Sequence, residues 1–227
     1  MRTIKEPEIR KNEILDAAEK LFAVKGFEKA TVNDILEETG IAKGTFYYYF
    51  KSKEDALDAI IKRRIDGFMV KVKVIAADSE LEVPAKLLSI IMALKPQNPE
   101  GNKANYRLRR SRSLARRNIP AQEGLILVLH EQGNAQFHQK SLTESVMHLT
   151  PVLRDIVEEG NKQGIFNTPY PKESIELLLT AAMVLFDDGF FQWPPAEMAV
   201  KIPAFICAME RILGAKPGSL AVFTKVF

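Results

Sequence analysis

Residues 31–53 read Thr31-Val32-Asn33-Asp34-Ile35-Leu36-Glu37-Glu38-Thr39-Gly40-Ile41-Ala42-Lys43-Gly44-Thr45-Phe46-Tyr47-Tyr48-Tyr49-Phe50-Lys51-Ser52-Lys53. Thr31 followed three places on by Asp34 is a capping-box start, in which both side chains satisfy backbone donors at the opening of a helix. Val32, Ile35 and Leu36 share one side of that helix. Gly40 is placed to end it, because glycine adopts the positive φ that a tight turn requires. Only Gly40-Ile41 separates it from a second helical stretch, Ala42–Phe50, in which Phe46 and Phe50 lie four apart and turn inward with Ile41. Tyr47, Tyr48 and Tyr49 cannot all follow them, since successive helical residues point about 100° apart. At least one tyrosine is exposed beside lysines, so a hairpin whose aromatics are all core is disfavoured. Two short helices joined by a tight turn form a helix-turn-helix.

Working outward, the helical pattern continues on both sides. Ile14, Ala17, Ala18, Leu21 and Phe22 form one buried stripe, closed by Lys25-Gly26. Ser52-Lys53-Glu54-Asp55 caps a long fourth helix with apolar positions Leu57, Ile60, Ile61, Ile65, Phe68, Met69 and Val72. Val83–Leu94 is amphipathic and stops at Lys95-Pro96, with a loop over Gln97–Lys103. Leu142, Val146, Leu149, Leu153 and Ile156 give another stripe, ended by Gly160 and Gly164. A helix over 175–190 is apolar on more than one face, Pro194-Pro195 breaks the chain, and a last helix runs over 199–213 to Gly214. Strand-like alternation is nearly absent. The fold class expected is all-α: a three-helix helix-turn-helix domain over 1–53, then a helical domain over 54–227.

The bulk numbers are compatible with this. The chain has 227 residues, 46% hydrophobic and 27% charged, enough apolar content for a real core. Its net charge of +3 permits a nucleic-acid partner without arguing for one. The single cysteine, Cys207, cannot form an internal disulfide, and its neighbours Ile206 and Ala208 suggest a buried, reduced thiol. The N-terminus lacks an apolar signal core, and no apolar run approaches the ~20 residues of a membrane span. The expectation is a cytoplasmic protein with no membrane partner.

The helix-turn-helix carries the chemistry. Its second helix enters the major groove of double-stranded DNA, and the turn fixes the angle between the two. With Phe46 and Phe50 inward, Lys43, Gly44, Thr45, Tyr47, Tyr48 and Tyr49 face the groove or the phosphates. Small Gly44 and Thr45 allow close approach to base edges, and tyrosine hydroxyls donate to phosphate oxygens. Lys43 and Lys53 add charge at either end.

From about Arg10 to Leu57, without a gap, the sequence closely resembles the N-terminal signature of the tetracycline-repressor (TetR) family. The resemblance implies that Thr31 contacts phosphate and that Lys43, Gly44, Thr45, Tyr47 and Tyr48 form the reading surface. It places Tyr49 and Lys53 on the DNA backbone. Ala42 departs from the family's frequent serine, and losing such a cap costs about 1 kcal/mol.

For the remainder the resemblance is weaker. It implies a homodimer through the last two long helices, a DNA operator as partner, and release from it by a small molecule bound in the second domain. Candidate effector-lining residues are Phe68, Met69, Tyr106, Phe137, Met147, Phe186 and Trp193. The alternative for the two long helices is the internal core of a monomer. The alternative for the whole protein is a DNA-bound scaffold or activator that recruits a protein. That reading is favoured by Lys103, Arg107, Arg109, Arg110, Arg112, Arg116 and Arg117, a basic run that otherwise makes a solvated face. No nucleophile–base pairing or phosphate-cradling loop points to an enzyme. His130, His138 and His148 with Asp187 and Asp188 match no metal-ligand spacing, so no metal or cofactor is expected.

Overall fold

The computed structural model describes residues 6–94, 135–187 and 190–226. Among them the elements are α1 (Pro7–Lys25), α2 (Val32–Thr39), α3 (Lys43–Tyr49), α4 (Lys53–Ala77), α5 (Val83–Leu94), α6 (Ala135–Lys162), α7 (Pro171–Leu185) and α8 (Pro195–Leu213). A short 3-10 turn, Ala221–Val226, follows, and no strand occurs among the described residues. The fold is all-α. It divides into two compact units that part inside α4, after Arg64. The break expected at residue 53 marks the start of that helix.

In the first unit the stripe read from the sequence is the core. Ile14, Ala18 and Phe22 of α1, Ile35 of α2, Phe46 of α3 and Ile60 of α4 are wholly buried. Phe22 and Phe27 meet edge to face at 5.1 Å. Gly26 (φ 82°) and Gly40 (φ 66°) end α1 and α2 in the backbone conformation that glycine tolerates best. A buried carboxylate, Glu19 (7% exposed), joins α1 to α4. It accepts from Arg63 Nη2 at 2.8 Å and Arg64 Nε at 2.8 Å, and from Arg64 Nη2 as well. A buried charge at this position is tolerable because both oxygens are hydrogen-bonded to cations.

In the second unit Met69 and Val72 of α4 join Val83, Leu87 and Ile90 of α5 and Leu149, Leu153, Ile156 and Val157 of α6. Ile175, Leu178 and Leu179 of α7, Ile206, Met209 and Leu213 of α8, and Leu220, Phe223 and Val226 complete this core. Gly160 is required by packing: a side chain there would collide with the ring of Phe166. The Glu210 carboxylate is buried and accepts from the Gly218 and Leu220 amides, each at 2.9 Å, which fixes the final turn against α8. Buried Lys86 donates to Glu159 at 2.9 and 3.1 Å.

Details at the C-terminal end differ from the sequence reading, and α7 runs over Pro171–Leu185 rather than 175–190. The last helix starts at Pro195 rather than 199, because proline lacks the N–H that a first-turn residue would leave unused. Cys207 is exposed, not buried. Ile206 is buried and Ala208 exposed: Ile206, Met209, Glu210 and Leu213 form the buried side of α8, and Cys207 points away from it.

Candidate nucleic-acid interface

The start of α2 is held by a reciprocal network. Asp34 N–H donates to Thr31 Oγ1 at 3.1 Å and Thr31 N–H donates to Asp34 Oδ2 at 2.8 Å. Lys25 Nζ lies 2.6 Å from the other carboxylate oxygen. These bonds, led by that from Lys25, lower the Asp34 pKa to about 2. Thr31 is exposed at this corner.

Helix α3 presents two faces. Phe46 and Phe50 are buried, with rings 5.7 Å apart, and hold it to the core. On the other side Lys43 and Gly44 are exposed, and Tyr47 and Tyr48 are 47% and 79% exposed. Thr45 and Tyr49 are half-buried, and Tyr48 meets Tyr49 edge-on at 4.9 Å. Lys43 Nζ lies 5.9 Å from the centre of the Tyr47 ring. Ala42 gives no side-chain cap, as its type dictates, and its carbonyl accepts from Thr45 N–H at 2.9 Å. Thr31, Lys43, Gly44, Thr45, Tyr47, Tyr48 and Tyr49 therefore all lie on α3 or at the N-cap of α2, with tyrosine hydroxyls and an ammonium available outward.

Lys53 has a task that the sequence did not reveal. Its ammonium donates to the carbonyls of Phe27 (2.9 Å), Glu28 (3.2 Å) and Ala30 (3.2 Å) and lies 4.5 Å from the Phe27 ring centre. The three donors of the ammonium thus meet three carbonyls of one turn. No spacing rule flags this pairing, which joins residues 23 to 26 positions apart.

Of the expected effector residues, Phe68, Met69, Met147, Phe186 and Trp193 have side chains among the described residues. Clefts among the described residues include two of about 410 Å³, one lined by Arg10, Glu13, Lys20 and Glu38 in the first unit and one by Lys73, Val152, Asp155 and Glu159 in the second. Neither is lined by any of them. Phe68 is half-buried and Met69 belongs to the core. Phe186 is half-buried, 5.3 Å edge-on to Phe205. Trp193 donates to the Leu185 carbonyl at 2.9 Å and stacks on Phe191, with Lys201 Nζ 3.9 Å from its ring centre. Met147 is 64% exposed, because it lies off the α6 stripe of Leu149, Leu153 and Ile156. Tyr106, His130, Asp188 and the basic run 103–117 lie outside the described residues, as do the side chains of Phe137 and His138. No cluster of three metal-ligating side chains occurs among the described residues, and no helix there is long and apolar enough to cross a membrane.

A short capped helix, a left-handed glycine turn and a second helix bearing outward tyrosines and lysine define the helix-turn-helix class of protein. Residues 14–60 match the family model described as bacterial regulatory proteins, tetR family, and residues 126–208 match that of the tetracyclin repressor-like C-terminal domain. The chain belongs to the tetR family of bacterial regulatory proteins. It is 38% identical over 82 residues to the HTH-type transcriptional repressor KstR2 of Rhodococcus jostii, a match covering 36% of this chain and 40% of that one. The chain thus spans well under two thirds of this curated relative. In fold it is similar to Salmonella enterica GusR (TM-score 0.60, 19% identity, 94% of this chain and 100% of that one). It is also similar to a TetR/AcrR-family regulator from Thermobifida fusca (TM-score 0.53, 21% identity, 90% and 96%).

Proposed function

We propose that the protein is a transcriptional regulator that binds double-stranded DNA through α2 and α3. The observation that carries this reading is the outward face of α3. A helix of seven residues that exposes two adjacent tyrosines and a lysine, while two phenylalanines anchor it from behind, is built to meet a polyanion carrying flat apolar edges. Thr31, Lys43, Gly44, Thr45, Tyr47, Tyr48 and Tyr49 are the proposed contacts. Lys53 acts on them from behind, by fixing the 27–30 turn that delivers Thr31 to the surface.

Its mode of action is that of a homodimeric repressor. A twofold dimer sets two recognition helices about 34–36 Å apart, for successive major grooves of a near-palindromic operator. Support comes from the outer side of α7 and α8, where Leu177, Ala181, Val200, Ala204, Cys207 and Ala208 are exposed. Two small-residue, apolar stripes on neighbouring helices suit close packing against a symmetry mate. Residues 54–227 form the dimerisation and effector domain in this reading. A small, largely apolar effector there stabilises the state that no longer fits the operator, and the coupling is reciprocal.

Selection of bound sequences from random duplex DNA tests the DNA-binding reading directly. A thermal-shift screen separates an effector-responsive repressor from a scaffold or activator without effector. A genuine ligand raises stability by about 2.7 kcal/mol at a hundred times its Kd, and a scaffold shows no small-molecule response.

A further inference from the structure

We infer that Gly67 makes the middle of α4 a point of flexure. Three observations converge on it. First, Gly67 lies well inside a 25-residue helix, where glycine is the least favourable residue after proline. Second, nothing in the described structure asks for glycine. Its φ is not in the left-handed region, it is exposed, and a methyl group placed on it would meet no atom within 4 Å. This contrasts with Gly160, whose missing side chain makes room for Phe166.

Third, the helix is tied down on either side of it. Just before it, Arg63 and Arg64 grip buried Glu19 of α1, in the first unit. Just after it, Met69 and Val72 are buried in the core of the second unit. Gly67 and Asp66 are exposed between Ile65 and Phe68, which are only partly buried against the second unit's core, and the amides of Phe68 to Lys71 bond back across residues 64–67. Lower helix propensity there raises the population of locally opened turns, while both anchored segments stay closed. A load applied at one end of α4 is then absorbed partly at Gly67 instead of being passed on rigidly.

Amide hydrogen exchange on the full chain tests it. After correction for intrinsic rates, the amides of Phe68–Lys71 should exchange faster than those of the preceding turn, residues 60–64, and of Val72–Ile75. Gly67→Ala should slow them about fivefold, the fold-change corresponding to ~1 kcal/mol of helix propensity, with little change at 60–64. Val74→Ala, at another exposed site, should leave the 68–71 amides fast. Uniform protection along α4 in the wild type would overturn the inference, as would a Gly67→Ala protein in which exchange at 68–71 is unchanged. If Gly67→Ala instead weakened self-association in sedimentation without slowing exchange, the glycine would be serving close packing between copies, and flexure would be excluded.

Discussion

The ammonium of Lys53 donates to the carbonyl of Phe27 at 2.9 Å and rests on the ring of the same residue, 4.5 Å from its centre. One side chain at the start of α4 thereby ties down the turn between α1 and α2. The same ammonium also serves the carbonyls of Glu28 and Ala30. Hydrogen bonds to a charged donor contribute about 1.5–3 kcal/mol, so Lys53→Met, which keeps the stem and removes the donors, should destabilise the protein by about that amount. Exposed Lys51→Met should stay within about 0.5 kcal/mol of wild type. Urea denaturation of the two variants checks this. If Lys53→Met left stability unchanged and lowered only DNA affinity, Lys53 would be a simple phosphate contact.

Asp34 gives the first unit an acid sensitivity with a defined sign. Its pKa is lowered from the ordinary value of 3.8 to about 2, chiefly by the hydrogen bond from Lys25 and then by those from Thr31. The stabilisation is fully present above pH 3.8 and is lost as pH falls toward about 2. Asp34→Asn should therefore shrink the fall in stability across that window, with no comparable change between pH 6 and pH 8. Denaturant midpoints measured against pH give the answer, and an unchanged acid slope in Asp34→Asn would count against the network.

Gly44 separates stability from binding. A methyl group there would meet no atom of the protein within 4 Å, so its absence serves nothing inside the fold. Gly44→Ala should stabilise the protein by about 0.5–1 kcal/mol through helix propensity. The same change should weaken operator binding, because in the proposed complex the added carbon would enter the space of a base edge. Improved stability with undiminished binding would place Gly44 away from the DNA.

Cys207 reports on the dimer. It is the single cysteine and is exposed on the outer side of α8. The proposed pairing of α7 and α8 with a symmetry mate would bury it. Maleimide labelling should be slowed on the order of tenfold at protein concentrations where the dimer predominates, as expected of a thiol whose access is removed. Ala208→Glu, which sets an unpaired charge in that interface, should restore fast labelling and yield monomers in sedimentation. Equal labelling rates in wild type and Ala208→Glu would exclude this surface as the interface.

The helices were legible in the sequence because their ends are written in local chemistry. Thr31 with Asp34, Gly40, Ser52 with Asp55, and Gly214 act within a few residues, and each appears as a cap in the structure. Phe46 and Phe50 were legible for the same reason, since a spacing of four fixes a shared face. Lys53, Glu19, Arg63 and Arg64 were not, because their partners lie 23 to 51 residues away and nothing local encodes such pairing. Cys207 was misread from its neighbours in sequence, when what counts on a helix is neighbours three and four away. The effector residues were the least legible. Phe68, Met69 and Trp193 have the composition of a ligand wall and equally that of a core, and only packing tells the two apart.

The central claim is that the exposed face of α3 reads DNA, and Tyr48 tests it most directly because it is 79% exposed and its loss costs the core nothing. An operator recovered by selection from random duplexes is titrated with wild type and Tyr48→Ala by fluorescence anisotropy at fixed salt. The expected result is a loss of about tenfold in affinity, equivalent to ~1.4 kcal/mol, with an unchanged Tm. Equal affinity of the two proteins for that operator would contradict the account.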